Sequence, residues 1–259
     1  MTFLDALDRV YAAAPCQVLP NPLWKSRRAF EGECFACSVE MEGSDVTRLT
    51  ARDGATAHVF WTRDRAERVP AEMLDGVRLA LLHADYGGAA LLSEFTHSEQ
   101  YFRLIHRGAA IPVPALPPGF RLVPVLLPSA SRAVADLIGR CYLDLRPSAV
   151  TVEGWMQHPV FSPDLWLWIM DDAGGRPAAL GIAELDARIG EGALEWVQVL
   201  PEYRGQGLGT ALVSELLRRL ADRATFVTVS GQVDNVSNPE GLYRRCGFQG
   251  QDLWWVLRR

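Results

Sequence analysis

The chain has 259 residues, 49% of them hydrophobic and 22% charged, with a formal net charge of −5 at pH 7. That length buries a sizeable core in one or two domains. The acidic balance argues against a broad nucleic-acid footprint and suits a cationic partner, and no apolar run reaches the ~18 residues of a membrane span, so no membrane partner is expected.

Met1 to Arg9 mixes acids among apolar residues, which reads as a short amphipathic helix and not as a signal peptide. The five cysteines (Cys16, Cys34, Cys37, Cys141, Cys246) are an odd set without framework spacing, as expected of a reduced, cytoplasmic setting. Cys34-Phe-Ala-Cys37 is a lone Cys-x-x-Cys pair. Structural zinc needs a second ligand pair, the sequence offers none, and no metal is expected. Cys34 to Met41, Val46 to Arg52 and His58 to Arg63 read as an antiparallel meander turning at Asp53-Gly54. Pro70 to Tyr86 has helical periodicity through Met73, Leu74, Val77, Leu81 and Leu82, and a further helix is expected near Ser98 to His106. Residues 1–110 form an α+β domain on this reading. Four prolines in 111–119 make a stiff, extended linker to a second domain, 120–259.

The second domain opens with a strand (Phe120 to Val125), a helix (Ser131 to Tyr142) and another helix (Val150 to His158). Strands at Leu165 to Met170 and Ala178 to Leu185 are joined by the hairpin turn Asp171-Asp-Ala-Gly-Gly175. A strand from Leu194 to Leu200 ends at Pro201. The turn Arg204-Gly205-Gln206-Gly207-Leu208-Gly209 follows, and a helix opens at once. Its apolar stripe is Leu212, Val213, Leu216, Leu217 and Leu220, with Glu215, Arg218, Arg219 and Asp222 outside it. Such a turn presents backbone N–H groups at a helix N-terminus, where the dipole favours an anion, and glycine lets a diphosphate come close. A P-loop would need Lys-Ser/Thr after its last glycine, but Thr210-Ala211 stands there. A dinucleotide fold would need an acid ending the next strand, and Thr225 to Ser230 has none. Asn238 as cap, Pro239 at the first helical position and Gly247 as exit then frame a short helix that ends Leu242-Tyr243-x-x-x-Gly247-Phe248. A final strand runs from Asp252 to Leu257.

These two segments resemble motifs A and B of the GNAT superfamily of acyl-CoA N-acyltransferases, with a likeness that spans residues 120–259. The resemblance implies an α+β/αβα GNAT fold, a mixed twisted sheet with splayed central strands flanked by helices, plus the N-terminal α+β domain. It implies acetyl-CoA as cosubstrate, its pyrophosphate on Arg204, Gly205, Gln206, Gly207, Leu208, Gly209 and Thr210, and its arm against the backbone of Val197 and Val199. Asn235 is the residue expected at the pantetheine arm, with Asn238 as the alternative, and Tyr243 faces the coenzyme sulfur as acid for the departing thiolate. Residues 1–110 lack a second Arg-x-x-Gly-x-Gly and are either a degenerate GNAT-like copy or an unrelated cap. They cover the cleft or make a subunit contact, which would give a homodimer.

Amine acylation needs a base, because an alkylamine is largely protonated at neutral pH. Glu195, a carboxylate on an otherwise apolar strand, is the leading candidate, with a salt-bridged strand residue as the plain alternative. Glu184 is the second candidate and His158 a third. Tyr243 could equally be a packing residue, Cys246 reads as core, and Trp155, Phe161, Trp166 and Trp168 either line a cleft or pack. The activity expected is direct transfer of an acetyl group to a primary amine on a small molecule or peptide. The alternative is a non-catalytic acyl-CoA-binding or regulatory protein.

Overall fold

The computed structural model describes residues 1–30, 36–113, 115–142 and 145–259. Cys34, which opens both the cysteine pair and the first expected strand, and Pro114 of the proline-rich segment lie outside the described residues. The chain runs α1 (Phe3–Ala13), α2 (Pro15–Val18), α3 (Leu23–Phe30), β1 (Ala36–Glu42), β2 (Asp45–Arg52), β3 (Thr56–Thr62), α4 (Ala71–Leu74), β4 (Leu79–His83), α5 (Ala89–Leu92) and β5 (His97–His106). It continues through β6 (Phe120–Pro124), α6 (Ser131–Cys141), α7 (Ala149–Trp155), β7 (Trp166–Asp171), β8 (Arg176–Asp186) and β9 (Glu191–Val199). The last elements are α8 (Leu208–Leu220), β10 (Phe226–Gln232), α9 (Pro239–Arg245) and β11 (Gln249–Arg258). By its contacts the chain separates into Met1–Leu104 with Ser230–Glu240 and Gly250–Arg259, and Ile105–Val229 with Gly241–Gln249. The proline-rich segment thus lies inside the second unit, and the last strand falls with the first.

In the first unit a capping box starts α1: Asp5 N–H donates to Thr2 Oγ1 and Thr2 N–H to Asp5 Oδ2. The strands lie in the order β1-β2-β3-β4-β11-β5. The β1–β2, β2–β3 and β4–β11 pairs are antiparallel, and β3–β4 is parallel. Two expected helices are strands here. Pro70 to Tyr86 gives only one α-helical turn, α4, and a 3-10 turn at Ala84–Tyr86, because Gly76 takes a φ of 71° and breaks the period. Leu81 and Leu82 then sit in β4, one end of which pairs with β3 and one whole side with β11. Ser98 to His106 is β5, with Phe102, Leu104 and His106 buried on one face and Arg103 buried between them on the other.

The parallel pair β3–β4 is short. Only Thr56↔Leu79 and Ala57↔Ala80 are in register, after which the strands part. Tyr86 occupies the parting: its buried hydroxyl donates to Thr62 O at 3.0 Å and accepts from Thr62 N–H at 3.2 Å. Phe60 packs edge-on against its ring at 5.0 Å.

In the second unit the order is β10-β9-β8-β7-β6, antiparallel except for the parallel pair β9–β10. Helix α8 lies on this sheet with its whole expected stripe, Leu212 to Leu220, at most 2% exposed. It comes close because β8 carries Gly181 beneath it; a Cβ there would meet Leu212 and Leu216 at 3.0 and 3.1 Å. Glu215 sits at the edge of the stripe, held by Arg218 and Arg219 at 2.8 and 2.7 Å.

Candidate active site

The glycine-rich turn reaches α8 through two left-handed residues, Gly205 (φ 78°) and Gly207 (φ 82°). A Cβ on either would meet nothing within 4 Å, so the backbone here faces open space. Gly207 caps the 13-residue helix without a side-chain bond. The first-turn N–H groups therefore have no side-chain acceptor at the cap, the arrangement that suits an anion. Gly209 differs: a Cβ would press on Leu242 of α9 at 3.1 Å, so this glycine lets the two motifs touch. Arg204 is exposed and bends back to donate from Nε to Val199 O at 3.1 Å.

Strand β9 supplies the other wall. Its pairing with β10 runs from Glu191↔Phe226 to Leu194↔Val229 and ends there, although β9 continues to Val199. On the β8 side, Ala183 pairs with Leu194 and Ile182 with Trp196, so Glu195 is the extra residue of a β-bulge. The bulge and the end of the parallel pairing coincide at one residue. Beyond it, Leu200 N–H donates to Ala178 O at 3.0 Å on the β8 side. By alternation the backbone groups of Val199 and Val197 face the opposite edge, which β10 has left. Val199 O accordingly accepts from Arg204, not from β8.

Tyr243 is placed by the exit of α9. Phe248 N–H donates to Tyr243 O at 3.1 Å and Gly247 N–H to Arg244 O at 3.1 Å, with Gly247 at φ 92°: a Schellman close. The contact that accompanies such a close is present, Tyr243 meeting Phe248 edge-on at 5.7 Å. That is the physical content of the Leu-Tyr-x-x-x-Gly-Phe pattern. Burial is the main cause that pushes the Tyr243 hydroxyl well above its ordinary value, with Tyr142, Cys246 and the Glu195 carboxylate adding to it. Tyr243 therefore stays a donor through neutral pH and lies within electrostatic reach of Glu195.

Glu195 is half-buried. Glu184 is more deeply buried and lies against the His158 imidazole, Oε1 to Nδ1 at 3.5 Å, so the second and third base candidates are engaged with each other. Cys246 is fully buried, as a core residue. Trp166 and Trp168 are also core, whereas Trp155 and Phe161 are half-buried. Asn235 and Asn238 fall with the first unit. The Asn235 side-chain oxygen accepts from Ser237 N–H at 2.9 Å and Ser237 Oγ at 2.7 Å, a local turn. Asn238 takes a φ of 46°, not the extended backbone of the N-cap expected there. Sequence reasoning missed Tyr142 and Trp196: Trp196 directly follows Glu195 at the bulge, and that adjacency was the available signal. No group of three or more His, Cys, Asp or Glu residues suited to a metal occurs among the described residues.

Residues 163–250 match the family described as the Acetyltransferase (GNAT) domain. The chain carries a GNAT domain. The match covers the turn, β9 with its bulge, and α9. Solved structures agree in fold over almost the whole chain. A GCN5-related N-acetyltransferase from Sphaerobacter thermophilus superposes with a TM-score of 0.69 at 17% identity, over 92% of this chain and 85% of that one. A GNAT-family acetyltransferase from Colwellia psychrerythraea gives 0.63 at 11%, over 100% and 97%. A tandem GNAT protein of the clavulanic acid biosynthesis pathway gives 0.56 at 16%, over 98% and 94%. No curated protein matches the sequence. The mixed sheet, the splayed central pair and the flanking helices are those of the GNAT fold.

Tyr243 makes a pH-dependent contribution whose sign is fixed by its raised value. An unfolded tyrosine ionises near pH ~10, while the buried one holds its proton to higher pH. The stabilisation is complete below ~10 and is lost as pH climbs through the folded value. Melting temperatures followed above pH ~10 are expected to fall more steeply for the wild type than for Tyr243→Phe. Parallel curves would show that Tyr243 ionises as freely folded as unfolded.

Proposed function

We propose that this chain transfers the acetyl group of acetyl-CoA to a primary amine by direct attack. The observation that carries the reading is the coincidence at Glu195: one carboxylate stands on the bulge where β9 leaves β10, above an edge of outward-facing amides and within electrostatic reach of a buried tyrosine. The residues present fit the cosubstrate. Arg204 to Thr210 offer a glycine-lined helix start for the pyrophosphate, and the Val197 and Val199 backbone offers edge donors and acceptors for the arm.

Acetyl-CoA supplies the activated acyl group. Glu195 takes the proton that the ammonium must lose before its nitrogen can attack, directly or through a water. The edge amide of Val197 donates to the oxyanion that forms at the acyl carbon. Tyr243 donates to the sulfur as the C–S bond breaks, so that the thiol leaves, and the second proton that the nitrogen sheds on becoming an amide restores the phenol through solvent. Glu184, more deeply buried and in contact with His158, is the runner-up as base. The first unit, whose own parting is filled by Tyr86, holds no second coenzyme in this proposal and is a degenerate GNAT-like copy. The described cysteines are free thiols, in keeping with a cytoplasmic location, and no helix among the described residues is long and apolar enough to cross a membrane.

The direct test is release of free thiol from acetyl-CoA over a panel of amines: polyamines, aminoglycosides, amino acids, peptides with free N-termini, and arylalkylamines. Thiol release that depends on added amine, with the acetylated amine recovered by mass spectrometry, is the expected result. Tight binding of acetyl-CoA without any amine-dependent release would make the chain an acyl-CoA-binding protein instead.

A further inference from the structure

We infer that the acceptor amine carries a flat, apolar group, received by an aromatic wall beside Glu195. The inference deepens the acetyl-transfer reading and rests on it.

The wall begins at Trp196, the residue after the bulged carboxylate. Its ring stacks on Trp155 of α7, with centroids 5.3 Å apart and planes 19° from parallel. Tyr142, at the end of α6, meets Trp196 edge-on at 6.2 Å and 87°. Gln198, two residues along β9, donates from Nε2 to the Tyr142 hydroxyl at 2.9 Å and fixes that ring. Behind these, Trp166 supports Trp155 at 6.3 Å and is only 2% exposed. The cluster is therefore graded: Trp166 is core, while Trp155, Trp196 and Tyr142 keep part of their surface open.

Position makes this a recognition surface. Tyr142 and Glu195 both act electrostatically on Tyr243, so wall, carboxylate and buried hydroxyl share one small region of the second unit. An ammonium held at Glu195 would lie in the same region as these indole and phenol rings, a setting that attracts a cation and its carbon flank together. A hydroxyl-rich amine would press its polar groups on rings that cannot satisfy them. Farther along, Phe161 packs on Trp166 at 5.7 Å, and with Met156, Val125 and Leu126 it lines an apolar cavity of about 510 Å3. That is the size of a small-molecule site and leaves room for a bulky substituent.

The test compares amines of equal charge and different flank, such as 2-phenylethylamine and tryptamine against ethanolamine and 3-aminopropan-1-ol. The wild type is expected to favour the arylalkylamines by ~30-fold or more in kcat/KM, on the scale of one or two aromatic contacts. Trp155→Ala is expected to raise KM for them ~10-fold with little change in kcat, while KM for ethanolamine stays within ~2-fold and Trp155→Phe recovers most of the loss. Acetyl-CoA affinity, measured alongside, reports that the variant is folded. A wild type that prefers ethanolamine or 3-aminopropan-1-ol overturns the inference and leaves acetyl transfer standing, even if Trp155→Ala does not fold. Equal KM changes for both kinds of amine in a folded Trp155→Ala also overturn it. No thiol release with any amine removes the acetyl-transfer reading, and this inference falls with it.

Discussion

Gly207→Asp is expected to abolish acetyl-CoA binding in a domain that still folds. Gly207 is left-handed, and aspartate is among the few residues that tolerate that region. Its Cβ would meet no atom within 4 Å, so the cost is the backbone strain at φ 82° and not a clash. A carboxylate at a helix N-terminus even favours the fold, by the same dipole that would favour the pyrophosphate. Helix and ligand then compete for one charge: the side chain satisfies the amides that the diphosphate needs and repels it as well. Calorimetry is expected to show one coenzyme per chain for the wild type and a loss of at least ~100-fold, about 2.7 kcal/mol, in the variant. A folded variant with near-wild-type affinity would remove the coenzyme from this turn.

Glu195→Gln keeps the volume of the bulged side chain and removes its proton acceptor. Turnover near neutral pH is expected to fall by ~100-fold or more, with acetyl-CoA affinity unchanged. The pH profile carries the sharper signature. Without a base, the reaction depends on the fraction of amine already deprotonated, which rises about tenfold per pH unit below the amine pKa of ~10. The variant should therefore climb steadily through the alkaline range, while the wild type, which has a base of its own, should depend far less on pH there. If turnover survives in Glu195→Gln and is lost in Glu184→Gln, the two carboxylates exchange roles and the His158 contact becomes part of the catalytic apparatus.

The parts of this site legible in the sequence are those whose causes are local. The turn from Arg204 to Gly209 announces itself through glycines that need positive φ, the stripe of α8 through its period, and the exit of α9 through Gly247 and Phe248. The parts that were not legible depend on partners distant in sequence. Leu79–His83 is too short, and too apolar on both faces, to show the alternation that separates strand from helix, and its partners lie on β3 and β11. In β5 the alternation of Phe102, Leu104 and His106 is present, but the polar start from His97 to Gln100 hides it. The bulge at Glu195 has no marker in the chain at all. It exists because Ala183 and Ile182 of β8 pair around it, so the residue could be chosen for its charge and not for its geometry. The departure of β11 to the other unit is equally silent, since nothing in Gln249–Arg258 says which sheet it will complete.

Tyr86 gives the two parted strand pairs different thermodynamic characters. In the first unit the separation of β3 and β4 is filled by a side chain of the same polypeptide, anchored to both the N–H and the C=O of Thr62. That filler is present at unit stoichiometry in every molecule, so its contribution is the same at any dilution. The gap between β9 and β10, on the reading proposed here, is filled only by a diffusible molecule, whose stabilisation grows as RT ln(1 + [L]/Kd). One half of the chain is thus self-saturated, while the robustness of the other tracks the free cosubstrate around it. Starvation for acetyl groups would be felt by the second unit as a loss of folding free energy as well as of substrate.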